Sequence, residues 1–85
     1  TLKVQLENVN LSELTRATLA EFSPLLDEKS IEIDFLGDSG VILTDKNLIA
    51  PVLQNLISNA IKYTLKNGKI KIVVKKMDKF WKVEI

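Results

Sequence analysis

Hydrophobic positions recur along the chain with two different periods. Ile31, Ile33 and Phe35 alternate with Glu32 and Asp34; Ile70, Ile72 and Val74 alternate with lysines and Val73; Trp81, Val83 and Ile85 alternate with Lys82 and Glu84. A period of two predicts strands with one buried face at 30–36, 70–74 and 80–85. Shorter runs at Leu2–Leu6 and Val41–Leu43 predict two further strands. The helical period governs two longer stretches. Leu11, Leu14, Thr18, Phe22, Leu25 and Leu26 form one stripe between Leu11 and Asp27. Ile49, Val52, Leu53, Leu56, Ile57, Ala60 and Ile61 form a broader one between Asp45 and Thr64.

Capping and turn residues set the boundaries. Asn10 with Glu13 makes a capping-box pattern, flanked by Val9 and Leu14 as a hydrophobic staple. Pro24 predicts a kinked last turn in the first helix. Gly37-Asp38-Ser39-Gly40 is turn chemistry, and Thr44-Asp45 caps the second helix. Pro51 predicts an irregular first turn there. Gly68, after Lys66 and Asn67, ends the helix and is free to take positive φ. Met77-Asp78-Lys79 turns the last two strands into a hairpin. The order strand, helix, strand, strand, helix, strand, strand predicts the α+β class: a two-layer α/β sandwich, a mixed sheet with two helices on one face. A chain of 85 residues makes one domain at most, 1–85. Because it stops in or just after a strand, the expectation is a partial domain whose last strand awaits a neighbour.

Composition narrows the function. There is no cysteine and no histidine, which excludes disulfides, thiolate metal sites, an imidazole base and a phosphohistidine within these residues. No apolar run approaches the roughly 20 residues that cross a bilayer, so a cytoplasmic setting is the default expectation. Net charge is only +1, but lysines gather after the second helix, at Lys62, Lys66, Lys69, Lys71, Lys75, Lys76, Lys79 and Lys82. That asymmetry suits a polyanion such as a triphosphate. Equally, strand-alternating lysines solvate the outer face of a sheet and blunt its edges. Nucleic acid is not expected, because Arg16 is the only arginine and no aromatic stripe interleaves with the basic residues.

The candidate chemistry lies on the second helix. At about 100° per residue, Asn55, Asn59 and Lys62 fall within roughly 60° of one another beside the apolar arc, with Tyr63 between them and the seam. Asparagine disfavours helix interiors by up to about 0.7 kcal/mol, yet two stand one turn apart. Their carboxamide oxygens suit a hard cation such as Mg²⁺ that keeps most of its waters. Lys62 adds an ammonium, and Tyr63 a ring for a base. The alternative is two solvated residues on a polar face that also carries Gln54 and Ser58.

The stretch DKNLIAPVLQNLISNAIKYT, with a glycine before the following strand, resembles the N-box of sensor histidine kinases, D-x-x-x-L/I-x-x-V-L-x-N-L-x-x-N-A-I/C-K-Y/F/H-T/S. Asp45, Val52, Leu53, Asn55, Leu56, Asn59, Ala60, Lys62, Tyr63 and Thr64 match it. The resemblance implies the ATP-binding fold shared with gyrase-type topoisomerases and related chaperones. It implies ATP and Mg²⁺ as cofactors, Asn59 as metal ligand, Asn55 on metal-bound water or phosphate, Lys62 on phosphate and Tyr63 beside adenine or ribose. No catalytic residue is assigned. Relatives that hydrolyse ATP carry a glutamate at the place of Asn55; an amide there favours phosphoryl transfer to a partner. The D-x-G-x-G box that reads adenine and the helix with the acceptor histidine are absent from the 85 residues. The implied function is therefore the Mg-ATP segment of a two-component histidine kinase, incomplete and inactive alone. Its partners would be a phosphoacceptor histidine domain and a response regulator, with any membrane anchor lying outside this segment. The competing expectation is a shortened sandwich that homo-oligomerises through its open sheet edge near Phe80–Ile85.

Overall fold

The computed structural model describes residues 3–77 and 80–85. Along it run β1 (Glu7–Val9), α1 (Leu11–Glu21), α2 (Ser23–Glu28), β2 (Glu32–Gly37), β3 (Ile42–Thr44), α3 (Lys46–Tyr63), β4 (Lys69–Lys76) and β5 (Trp81–Glu84). The class is α+β, as expected. β2, β4 and β5 form a mixed sheet, with β4 parallel to β2 and antiparallel to β5. The parallel step is closed by the crossover through α3.

Several details differ from the sequence reading. The sheet is not single: β1 and β3 form their own antiparallel ladder, pairing Glu7 with Thr44 and Val9 with Ile42. β1 also lies later than the Leu2–Leu6 alternation indicated. Leu2 is outside the described residues, and Val4 and Leu6 are both more than half exposed, whereas Val9 is buried. The ladder thus settles in the register that buries Val9. The first helix is two helices. The break falls at Phe22, and Pro24 stands in the first turn of α2, where its missing N–H has no helical partner to lose. Leu25 consequently faces out.

Pro51 does not disturb the first turn of α3. Asp45 caps that turn, and the helix continues through Pro51 to Tyr63. The Pro51 ring stands on the exposed side, so the carbonyl left without its donor is available to water. After α3, the left-handed position is Asn67 (φ 68°) and not Gly68. Glycine is needed at 68 for space: a Cβ there would lie 2.5 Å from Thr64 Cγ2 and 2.7 Å from the Leu65 carbonyl oxygen. The β4–β5 hairpin forms as expected, closed by Met77 N–H donating to the Phe80 carbonyl at 2.7 Å; Asp78 and Lys79 of its turn lie outside the described residues.

The core lies between α3 and the inner face of the sheet. Leu26, Ile31, Ile57, Ile61, Ile70 and Ile72 pack as one cluster, and Leu11, Leu53 and Val74 as a second. Phe35 borders both, with the Arg16 guanidinium 4.3 Å above its ring centroid. Each fully buried aliphatic side chain contributes on the order of 1.5–3 kcal/mol. On the outer face, Glu32 and Asp34 of β2 sit across from Lys69 and Lys71 of β4. Such cross-strand pairs explain four of the charged positions as sheet-surface chemistry.

Candidate functional site

α3 is fixed at both ends and along one stripe, and that decides which of its side chains are presented. Leu53, Ile57 and Ile61 are buried against the sheet and α1. At the N-terminus, Asp45 is itself buried. Its Oδ1 accepts from Asn47 N–H at 2.9 Å and its Oδ2 from Gln5 N–H at 2.8 Å. At the C-terminus, the Thr64 hydroxyl donates to the Ala60 carbonyl at 2.6 Å, and Lys29 Nζ donates to the Ile61 carbonyl at 2.7 Å. These contacts meet carbonyls that the helix cannot satisfy within itself.

With the stripe turned inward, Asn55, Asn59, Lys62 and Tyr63 are all exposed. The two carboxamides remain one turn apart on the same side. Among the described residues neither has a protein hydrogen-bond partner, whereas the neighbouring Gln54 donates to Glu21 Oε2 at 3.3 Å. Lys62 Nζ lies 5.5 Å from the Tyr63 ring centroid, inside the distance at which an ammonium is attracted to an aromatic face. The face is open. An apolar cavity of about 190 Å³ is lined by Ile42, Val52, Leu53, Leu56, Trp81 and Val83. Nearer the C-terminal end of α3 is a shallow recess at Tyr63, Lys69, Lys71 and Ile85. Tyr63 therefore borders a hollow separate from the carboxamides.

The donor set limits the chemistry. No group of three or more His, Cys, Asp or Glu side chains that could hold a metal occurs among the described residues. A cation on this face would draw one or two amide oxygens from the protein and the rest from water or phosphate. Mg²⁺, which keeps several waters and binds with phosphate oxygens, fits that donor set. The sequence reading missed the second acceptor role of Asp45 and the reach of Lys29 to α3. Both are contacts across more than thirty residues, and no local pattern announces them.

No protein-family profile matches the chain. The adaptive-response sensory kinase SasA of Crocosphaera subtropica is 36% identical over 75 residues, covering 86% of this chain and 20% of that protein. The solved catalytic domain of histidine kinase ThkA superposes with a TM-score of 0.87 at 33% identity, covering 93% of this chain and 56% of the other. In sequence and in fold the chain is similar to the catalytic domains of histidine kinases. It spans about a fifth of the curated histidine kinase relative and just over half of the ThkA domain. ThkA in complex with the response regulator TrrA matches at 34% identity and a TM-score of 0.81, over 88% of this chain and 23% of that one. Full-length ShkA in complex with AMPPNP matches at 28% identity and 0.78, over 91% and 17%. No helix among the described residues is long and apolar enough to cross a membrane.

Proposed function

We propose that this chain supplies the magnesium–phosphate side of the ATP site in a sensor histidine kinase, which moves the γ-phosphoryl group of ATP to a histidine. The observation that carries the reading is a pair of exposed carboxamides, without a hydrogen-bond partner among the described residues, on a helix whose remaining constraints are met elsewhere. Asn59 offers its amide oxygen to Mg²⁺. Asn55 contacts metal-bound water or a phosphate oxygen, Lys62 neutralises phosphate charge, and Tyr63 borders the nucleoside. The bound Mg²⁺ supplies charge neutralisation on the transferring phosphoryl group. With an amide at 55 no side chain there removes a proton from water, which favours transfer over hydrolysis.

The chain contains no histidine, so the acceptor belongs to another segment. A response regulator is the proposed next recipient, in keeping with the ThkA–TrrA complex. Among the described residues the two carboxamides stand exposed on one open wall. We therefore expect the 85 residues to bind Mg-ATP weakly and to transfer nothing alone. Calorimetry tests this: a shallow, unsaturated titration at millimolar Mg-ATP is expected, and tight Mg-dependent binding would refute it.

Oligomerisation through β5 is the less favoured reading. β5 stands at the edge of its sheet, but it carries the Lys82–Glu84 ion pair, and charged edge strands resist strand addition.

A further inference from the structure

The last turn of α3 carries Lys62 and Tyr63, and it is not closed by a left-handed glycine directly after the helix. Its C-cap, Thr64, is extended, and the chain reaches its left-handed residue only at Asn67. The carbonyls at this end take partners from elsewhere. Ile61 carbonyl receives Lys29 Nζ at 2.7 Å and, more distantly, Thr64 N–H at 3.3 Å. A helix C-terminus carries partial negative charge, so a half-buried ammonium placed there makes a charge-assisted bond.

Lys29 does more than donate one bond. Its N–H donates to the Leu25 carbonyl at 3.1 Å, ending α2, and its carbonyl accepts Asn67 N–H at 2.8 Å, holding the α3–β4 turn. The chain on either side of that last bond takes left-handed backbone, at Ser30 (φ 52°) and Asn67 (φ 68°). One residue thus ties together the end of α2, the end of α3 and the turn into β4. Ile61, whose carbonyl it grips, immediately precedes Lys62.

We propose that Lys29 is a positioning residue: it clamps the last turn of α3 and thereby sets where the Lys62 ammonium and the Tyr63 ring stand. The functional half of this rests on the nucleotide reading above; the structural half does not. Lys29 touches no proposed ligand position itself. Its effect reaches the phosphate side only through the backbone of Ile61.

The test is amide hydrogen exchange by NMR on the 85-residue chain, comparing Lys29→Met, which keeps the apolar stem and removes the ammonium, with Lys29→Arg. Exchange at Lys62, Tyr63 and Thr64 should accelerate about tenfold in Lys29→Met, matching the loss of a typical hydrogen bond. Rates at Leu53 to Ile57 should hold, and Lys29→Arg should restore most of the protection. Equal acceleration along the whole helix, or none, would overturn the clamp. Should Lys29→Met not fold, ¹⁵N relaxation of the lysine ammonium groups in the unsubstituted chain decides. Lys29 should be far more ordered than exposed Lys66, and equal mobility would overturn the proposal. For the functional half, Mg-ATP is the probe. Lys29→Met should cut the induced shifts at Lys62 and Tyr63 severalfold while sparing Asn55. Equal loss at all three, or no loss, counts against positioning. Absence of any shift in the unsubstituted chain would bring down the nucleotide reading, leaving the exchange result to judge the clamp.

Discussion

Gln5 N–H and Asn47 N–H converge on one buried carboxylate, that of Asp45, at 2.8 and 2.9 Å. The bond to Gln5 prolongs the β1–β3 ladder by a side chain and fastens the incoming strand to the start of α3. Asp45→Ala removes a helix cap and leaves a second backbone donor without its acceptor. A cap alone contributes about 0.5–2 kcal/mol, so a loss of about 2 kcal/mol or more is expected. Urea denaturation measures it, with Asp45→Asn expected to cost less than Asp45→Ala.

The buried face of α3 should dominate stability while its exposed apolar residues should not. Ile57 is 1% exposed and Leu56 is 42% exposed, on adjacent positions of one helix. Ile57→Ala should cost about 2–5 kcal/mol, enough to unfold much of so small a domain. Leu56→Ala should cost less than about 1 kcal/mol. Thermal melts followed by circular dichroism distinguish the two.

In the turn after α3, the two neighbours Asn67 and Gly68 should respond in opposite ways. Gly68→Ala forces a methyl against Thr64 and the Leu65 carbonyl and should destabilise by about 1–3 kcal/mol. Asn67→Gly relaxes a left-handed backbone and should change stability by less than about 1 kcal/mol. Denaturation midpoints of both variants check the prediction.

Lys82 Nζ hydrogen-bonds Glu84 Oε1 at 2.6 Å and, with its charge, holds the Glu84 carboxyl below the ordinary value of 4.5. The folded-state value is the depressed one. The interaction is therefore present above the ordinary glutamate range and is lost as pH falls through the lowered value. Lys82→Met should bring the Glu84 titration, followed by NMR, back up towards 4.5. Because both side chains are half exposed, stability should hardly respond.

Much of this architecture was legible in the periodicity. The strands at β2, β4 and β5 and both helix starts follow from alternation and from Asn10 and Asp45 as caps. What escaped depended on partners distant in the chain. The position of β1 is decided by where β3 lets Val9 be buried, and the separation of the β1–β3 ladder from the main sheet has no local signature. The Gly68 reading chose the right residue for the wrong reason, since sequence shows conformational freedom but not the Thr64 methyl that excludes a side chain. The side-by-side spacing of Asn55 and Asn59 was readable from the helical period, and their exposure follows from the buried stripe of Leu53, Ile57 and Ile61. The grip of Lys29 on the Ile61 carbonyl was not readable, because it joins two segments with no shared pattern.

The most direct test of the nucleotide reading is an NMR titration of the ¹⁵N-labelled chain with millimolar ATP, with and without Mg²⁺. Shifts at Asn55, Asn59, Lys62 and Tyr63 that need Mg²⁺ and vanish in Asn59→Ala are predicted. Shifts confined to the lysines of β4 and β5, or a response indifferent to Mg²⁺ and to Asn59, would contradict it.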